Sequence, residues 1–270
     1  MKKSCAVIPH NGLGDNINSV SMCKYLSTIY KKVYHICRYS FHENISLFYD
    51  KYKNIEVYKL NCDFGKNFFV NNIFKTVDDV YLLGIHQNNK YKRNIEEYTN
   101  IIGDIKLYDD NIVPLSFYNM VNINPNVYFK YNIDDTKESN ILYRLIENID
   151  YIFIHNSSSS GIKFSNNLAI KKIRIDPDKT LIINPVINYY SKGHHFYNIA
   201  NKFVMKLLIN YKKTIENASN IILSNSCFFC LSLQLNIKTK NIFYCSKYNY
   251  DYLYNKKYNY KNKILSIDKL

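Results

Sequence analysis

Residues 5–15 read CAVIPHNGLGD, an apolar run that ends in proline and leads through two glycines to an aspartate. After it, apolar side chains recur every three residues and would line one face of a helix: Ile17, Val20, Cys23, Leu26 and Ile29. A second apolar run follows at 33–37. The stretch therefore predicts a strand, a helix and a second strand, with Asp15 at the end of the unit where α/β proteins bind ligands.

The turn at 12–15 has three interpretations. Asp15 could simply cap the helix by accepting backbone N–H groups. The glycines could begin a dinucleotide fingerprint, but Ile17 stands where the third glycine belongs, and the next strand ends in Cys-Arg at 37–38 rather than in an acidic residue. A P-loop is excluded because no Gly-Lys-Ser/Thr follows. The third interpretation, a catalytic Asp15, depends on a second motif.

That motif is at 219–235, SNIILSNSCFFCLSLQL, where an apolar strand passes through a small polar turn into a short apolar helix. Together the two regions resemble the inverting GT-B glycosyltransferases of the heptosyltransferase type, glycosyltransferase family 9. That family carries Gly-Asp after its first strand and Asp-Ser-Gly-x-x-His-Leu-Ala in its second domain. Here the Asp-Ser-Gly falls on Asn225-Ser226-Cys227 and the histidine on Cys230, so the serine and the apolar helix are retained.

The resemblance implies an α/β fold of two Rossmann-like domains facing a cleft, the GT-B-like architecture. It also implies transfer of a sugar from a nucleotide-sugar to a hydroxyl of a glycan or another acceptor, with inversion and without a metal or another cofactor. Asp15 would be the general base that removes the hydroxyl proton. Residues at the same end of the first domain would contact the acceptor: Asn11, Gly12, Gly14 and His86.

The donor is expected in the second half, where the buried run at 151–155 is followed by four serines, a glycine and a lysine. Hydroxyl groups, backbone N–H groups and one ammonium suit a diphosphate, and a flexible serine linker is the alternative. In GT-B proteins a glutamate near the donor often binds ribose, which makes Glu216 a candidate. The expected donor contacts are Ser157, Ser158, Ser159, Ser160, Lys163, Glu216, Asn225, Ser226, Cys227 and Phe228.

We place the interdomain linker in the polar stretch DDTKES at 134–139. The predicted parts are an N-terminal acceptor domain over 1–135, a C-terminal nucleotide-sugar domain over 136–250, and a basic Tyr/Asn/Lys-rich segment over 251–270. Further strands are predicted at 54–60, 79–84, 181–183 and 220–224. The most regular helical spacing predicts one long helix over 196–215, whereas 114–125 is predicted to be surface loop with a short helix.

Composition fits two domains in 270 residues. The net charge of +14 would attract nucleic acid, anionic membranes or phosphorylated substrates alike. Lysine, however, is abundant together with asparagine, tyrosine and isoleucine, which share A/T-rich codons, so a biased genome such as that of a large DNA virus explains most of the charge. The seven scattered cysteines indicate a reduced, cytoplasmic chain, and no apolar run of 18 residues predicts a membrane span.

Two functions from other classes stay open at this point. One is a noncatalytic nucleic-acid-binding protein that uses the basic surface, although most of that charge is attributed above to codon usage. The other is an NAD(P)-linked oxidoreductase, which would need the first βα turn to hold a pyrophosphate. A lysine stripe on a convex face would favour the first, whereas a basic crevice would favour the transferase.

Overall fold

The computed structural model describes residues 2–10, 12–60, 76–84, 100–107, 109, 112–159, 161, 163–245, 253, 257 and 264–266. Three of the predicted contact residues, Asn11, His86 and Ser160, lie outside this part of the chain, as does most of the segment 251–270. The chain divides into two compact units, Met1–Asn132 and Ile133–Leu270. Each unit contains one five-stranded sheet whose paired strands all run parallel, so the predicted α/β class is confirmed.

The first unit is built on the predicted βαβ element. Its strands are β1 Lys2–Ile8, β2 Tyr30–Arg38, β3 Ile55–Leu60, β4 Asp79–Leu82 and β5 Asn100–Ile102. Its described helices are α1 Leu13–Asn18, α2 Val20–Leu26, α3 His42–Ser46 and α4 Val113–Met120. The strand order is β3-β2-β1-β4-β5, so the direction of winding reverses between β1 and β4. In open α/β sheets, ligands bind outside the carboxyl ends of the strands at such a reversal.

The helical face predicted after Asp15 is present but interrupted. The chain turns at Ser19, between α1 and α2, and Ser19 Oγ donates to the Asn16 carbonyl at 2.8 Å, which bends the helix without exposing its apolar side. Ile17, Val20 and Cys23 are fully buried. Burying this face against the sheet fixes the position of the turn that carries Asp15.

The second unit repeats the layered arrangement with a different strand order. Its strands are β6 Tyr151–His155, β7 Leu181–Ile183, β8 Asn220–Ser224, β9 Ile242–Cys245 and β10 Ile264–Ser266. Its described helices are α5 Lys137–Arg144, α6 Asn166–Lys172, α7 Tyr197–Asn201, α8 Lys212–Asn217 and α9 Cys227–Ser232. The order is β10-β9-β8-β6-β7, so the reversal falls between β6 and β8. This is the flavodoxin-like order, whereas the first sheet has the Rossmann order.

The prediction of one long helix over 196–215 was wrong. The helix α7 ends at Asn201, a short 3-10 turn covers Leu208–Tyr211, and α8 follows. Between them Met205 adopts a left-handed φ of 56°, and its N–H donates to the Pro185 carbonyl at 2.9 Å. The Tyr211 hydroxyl donates to the Phe203 carbonyl and accepts from Lys206 N. This one side chain therefore satisfies a backbone carbonyl and a backbone N–H that would pair with other backbone groups in a continuous helix.

The short helix predicted within 114–125 is present, but the prediction that this stretch lies at the surface was wrong. Most of that stretch is α4, which buries Leu115, Phe117 and Tyr118 completely. The Tyr118 hydroxyl donates to the Asn18 carbonyl at 2.9 Å, which attaches α4 to the end of α1. None of the helices formed by the described residues has the length and apolar character needed to span a membrane.

The polar stretch 134–139 has an ordered structure in which α5 begins. Thr136 is the N-cap of this helix, accepting from Ser139 N at 2.9 Å and donating to Asn210 Oδ1 at 2.7 Å. Asp135 accepts from Lys212 Nζ at 2.6 Å, and this pairing lowers the pKa of its carboxyl. These contacts attach the stretch to the second unit.

Candidate functional site

Asp15 lies at the reversal of the first sheet, in the first turn of α1. Its Oδ2 accepts from the Gly12 N–H at 2.8 Å and is 3.4 Å from Nδ1 of His10, which follows the end of β1. The ring of His10 rests on Gly84, which follows β4, and a Cβ at Gly84 would come within 3.0 Å of the ring. We call these residues, His10, Gly12, Asp15 and Gly84, the β1–β4 group.

A buried hydrogen-bond chain fixes the Gly12 end of this group. Asn16 donates from Nδ2 to the Gly12 carbonyl at 2.8 Å, which leaves its Oδ1 as the acceptor for His35 Nε2 at 3.1 Å. His35 Nδ1 then accepts from the Tyr49 hydroxyl at 2.6 Å. Burial lowers the pKa of His35 to about 3, so the ring is neutral at physiological pH and this assignment of donors holds.

The predicted cap and the predicted base are compatible at Asp15. The carboxylate does accept the N-cap N–H, as the structural interpretation requires. Both described contacts are made to Oδ2, so the lone pairs of Oδ1 are left for a proton. Gly14 is the second residue of α1 and adjoins Asp15.

A second polar group lies at the reversal of the other sheet. His155 ends β6, and its Nδ1 forms a 2.9 Å hydrogen bond with Ser226 Oγ beyond β8. Ser224, the last residue of β8, donates its hydroxyl to the Ser157 carbonyl at 2.7 Å. Together with Lys163 these residues, His155, Ser157, Ser224 and Ser226, form what we call the β6–β8 group. Burial lowers the pKa of His155 to about 4, so its ring is neutral at physiological pH.

In the serine-rich segment, Ser157 pairs with Lys163 in an antiparallel bridge. Asn156 Nδ2 donates to the Phe164 carbonyl at 3.0 Å, and Phe164 N donates back to Asn156 O at 3.2 Å. The Ser158 carbonyl accepts from the Gly161 N–H at 3.1 Å, and Ser159 is exposed. These bonds argue against the alternative of a flexible serine linker. Lys163 is exposed and makes no ion pair with any described residue.

The turn before α9 contributes the remaining predicted donor residues. Ser226 occupies the N-cap of α9, but its hydroxyl contacts His155 instead of capping the helix. The Phe228 ring packs on His155 with centroids 4.6 Å apart and is buried, so only its backbone is left for a ligand. Asn225 and Cys227 are partly exposed. Burial of the Cys227 sulfur raises the pKa of this thiol to about 11, which opposes a reactive thiolate.

Glu216 is not brought together with the β6–β8 group. Its Oε2 accepts from Lys212 Nζ at 2.8 Å and its Oε1 from Asn236 N at 3.1 Å. It lies in α8, which leads into the amino end of β8, whereas Ser226 follows the carboxyl end. Both carboxylate oxygens of Glu216 therefore accept hydrogen bonds within the second unit, near the amino end of β8 and away from Ser226.

Sequence reasoning did not select four of the residues that the structure brings into these groups: His10, Gly84, His155 and Ser224. Each follows or ends a predicted strand, and that position was the available signal. The described residues contain no cluster of three or more His, Cys, Asp or Glu side chains placed to hold a metal ion.

No protein-family model matches the chain, and no curated protein matches it. Solved structures do: glycosyl transferase family 9 from Veillonella parvula has a TM-score of 0.60 at 10% identity, covering 98% of this chain and 86% of that one. ADP-heptose LPS heptosyltransferase II of E. coli also gives 0.60 at 10% identity, covering 97% and 90%. E. coli heptosyltransferase WaaC with ADP-2-deoxy-2-fluoro heptose gives 0.52 at 12%, covering 98% and 92%.

The chain has a fold similar to that of family 9 glycosyltransferases. The likeness covers nearly the whole chain, so it includes both five-stranded sheets. At this level of identity it describes the fold, and the chemistry has to be argued from the two polar groups.

Proposed function

We propose that this protein is a glycosyltransferase that moves a sugar from a nucleotide-sugar donor to an acceptor hydroxyl, with inversion and without a metal. The supporting observation is that the β1–β4 group and the β6–β8 group each lie at the reversal point of a sheet, on a fold similar to that of glycosyltransferases. The first group carries a carboxylate. The second carries hydroxyls and a lysine.

In the proposed reaction Asp15 Oδ1 takes the proton from the acceptor hydroxyl while the acceptor oxygen bonds to the anomeric carbon. The bond between that carbon and the diphosphate oxygen breaks, and its electron pair leaves with the diphosphate. Lys163 and the hydroxyls of Ser157–Ser160 and Ser226 would stabilise the negative charge that develops there, together with backbone N–H groups at 226–228. One base acting opposite the leaving group produces inversion.

The proposed function also suggests which classes of donor and acceptor to test. WaaC of E. coli was solved with ADP and with a fluorinated ADP-heptose. ADP-sugars are therefore the first donors to test, followed by UDP-, GDP- and CMP-sugars. A donor that binds only the folded state must raise the melting temperature, so thermal stabilisation identifies it before any acceptor is known. The acceptor would be a glycan or another hydroxyl compound contacting Asn11, Gly12, Gly14 and His86.

Asp15→Asn tests the chemistry against the structural alternative. Asparagine caps about as well as aspartate and can still accept the Gly12 N–H, so folding and donor affinity should be unchanged. An amide cannot take the acceptor proton, so the transfer rate should fall by about 10²- to 10⁴-fold. Asp50→Asn, which alters an exposed carboxylate in the same unit, is the matched control. Transfer at the parental rate in folded Asp15→Asn would show that Asp15 is only a cap.

A further inference from the structure

The ring of His10 packs against Gly84, a residue that is distant in sequence. Gly84 has a φ of 63°, and its missing side chain leaves the space that the His10 ring occupies, since a Cβ would lie 3.0–3.1 Å from three ring and Cβ atoms of His10. The Leu83 N–H donates to the Ile8 carbonyl at 3.0 Å, which ties the end of β4 to the end of β1. The sheet itself therefore sets where His10 stands.

The same ring approaches the carboxylate of Asp15. His10 Nδ1 and Asp15 Oδ2 are 3.4 Å apart, and the two side chains are only 25% and 20% exposed. The Gly12 N–H reaches the same oxygen at 2.8 Å. Hydrogen bonds of catalytic groups are often long before substrate binds and shorten in the complex, so this distance is compatible with an Nδ1–H donor.

We propose that His10 is a positioning residue for Asp15, an inference that rests on the proposed function. Its Nδ1–H and the Gly12 N–H together hold Oδ2 and so fix the plane of the carboxylate. Oδ1 is then the oxygen presented to the acceptor hydroxyl. His10 keeps its own proton throughout the transfer: the acceptor proton moves to Asp15 Oδ1, and the diphosphate leaves with the electron pair of the broken bond.

Two substitutions separate this role from simple packing. His10→Ala removes the donor, and His10→Asn keeps an amide N–H close to the place of Nδ1. We expect His10→Ala to lower kcat by about 10- to 100-fold, the effect of misplacing a catalytic group by a fraction of an ångström to an ångström, with the donor KM unchanged. His10→Asn should recover most of that loss. In an Asp15→Asn background, His10→Ala should add no further loss, because the group it positions is already gone.

The contact can also be measured without any turnover. Long-range ¹H–¹⁵N spectra distinguish a neutral imidazole protonated at Nδ1 from one protonated at Nε2. We expect the Nδ1–H form of His10 in the parent and a shift towards Nε2–H in Asp15→Asn. The exposed His195, in the other unit, supplies the control: His195→Ala should retain the parental kcat.

The outcomes separate the His10–Asp15 contact and its positioning role from the proposed function. An Nε2–H form of His10 that does not respond to Asp15→Asn would overturn the contact, and a parental kcat in folded His10→Ala would overturn the positioning role. Equal losses in kcat for His10→Ala and His10→Asn, additive with Asp15→Asn, would reduce His10 to packing. A parent that transfers no sugar from any donor while His10 carries its proton on Nδ1 would overturn the proposed function, and the role in transfer with it, although the contact would stand.

Discussion

Mild acid should destabilise this protein through His35, which is neutral and completely buried between Asn16 and Tyr49. Protonating the folded ring would place an uncompensated charge in the core and would remove the lone pair that accepts the Tyr49 hydroxyl. The ring therefore takes up a proton on unfolding. Because its partner Asn16 holds the Gly12 carbonyl, the same event would release the turn that carries Asp15.

The magnitude follows from the pKa of His35, which burial lowers from 6.5 to about 3. Between those values the unfolded chain binds a proton that the folded chain does not, so the free energy of unfolding falls as the pH falls through this window. Each pH unit corresponds to about 1.36 kcal/mol, so a change from pH 6.5 to about pH 5 should cost about 2 kcal/mol through His35 alone. His155, whose pKa is lowered to about 4, adds a similar loss in the second unit.

Urea unfolding followed by far-UV circular dichroism, at about pH 7.5 and about pH 5, measures this loss in the parent and in His35→Gln. At the higher pH the variant should be about 1–3 kcal/mol less stable, because Tyr49 loses its acceptor. Its further loss at low pH should be about 2 kcal/mol smaller than that of the parent, since His155 titrates in both. His195→Gln, at an exposed position, should behave as the parent. An undiminished pH dependence in His35→Gln would refute the reasoning.

Two further predictions concern the groups at the sheet reversals. Lys163→Ala should weaken binding of the stabilising nucleotide by about 1–3 kcal/mol, the range for a hydrogen bond to a charged group. The control is Lys179→Ala, which removes an exposed lysine paired with Asp176 and should leave the affinity unchanged. Equal affinities of the parent and Lys163→Ala by titration calorimetry would remove Lys163 from the site. Gly84→Ala should lower the melting temperature more than Gly193→Ala. Both glycines have a positive φ, but only at Gly84 would the added Cβ lie against the His10 ring. Equal decreases in melting temperature would contradict that contact.

The sequence was sufficient for the parts of the fold that depend on local pattern. The apolar runs at 5–8, 33–37 and 151–155 became central strands, and all of their residues except the partly buried Tyr34 are buried, as expected for parallel strands covered on both faces. The two glycines and Asp15 marked the first strand-to-helix turn for the same local reason. A burial pattern does not, however, specify how the backbone satisfies its hydrogen bonds.

The region 196–215 shows that limit. Its apolar residues keep helical spacing, and Ala200, Phe203, Leu208 and Tyr211 are indeed buried. The helix is interrupted because the Met205 N–H donates to the Pro185 carbonyl and the Tyr211 hydroxyl accepts from Lys206 N. No local sequence pattern encodes contacts of that kind. A helix and a folded-back chain can therefore bury the same residues at the same spacing.

The missed site residues have the same origin. His155 and Ser226 are 71 positions apart in the chain, and they meet only because β6 and β8 are neighbours in the sheet. His10 and Gly84 meet because β1 pairs with β4. A lone histidine after a strand is uninformative until the strand order is known. Once it is known, both histidines are found beside a reversal.

The two reversals also differ in a way that supports separate chemical roles. In the β1–β4 group the ionisable side chain next to the histidine is a carboxylate, held at one oxygen and open at the other, which is the arrangement of a base. In the β6–β8 group the histidine contacts a hydroxyl, and the charged member is the exposed ammonium of Lys163, so negative charge is attracted there rather than repelled. Under the proposed function, exchanging the two sets would put a carboxylate beside the departing diphosphate, where like charges would raise the barrier. The observed distribution of charge therefore fits the proposal that the first unit removes the proton and the second stabilises the leaving group.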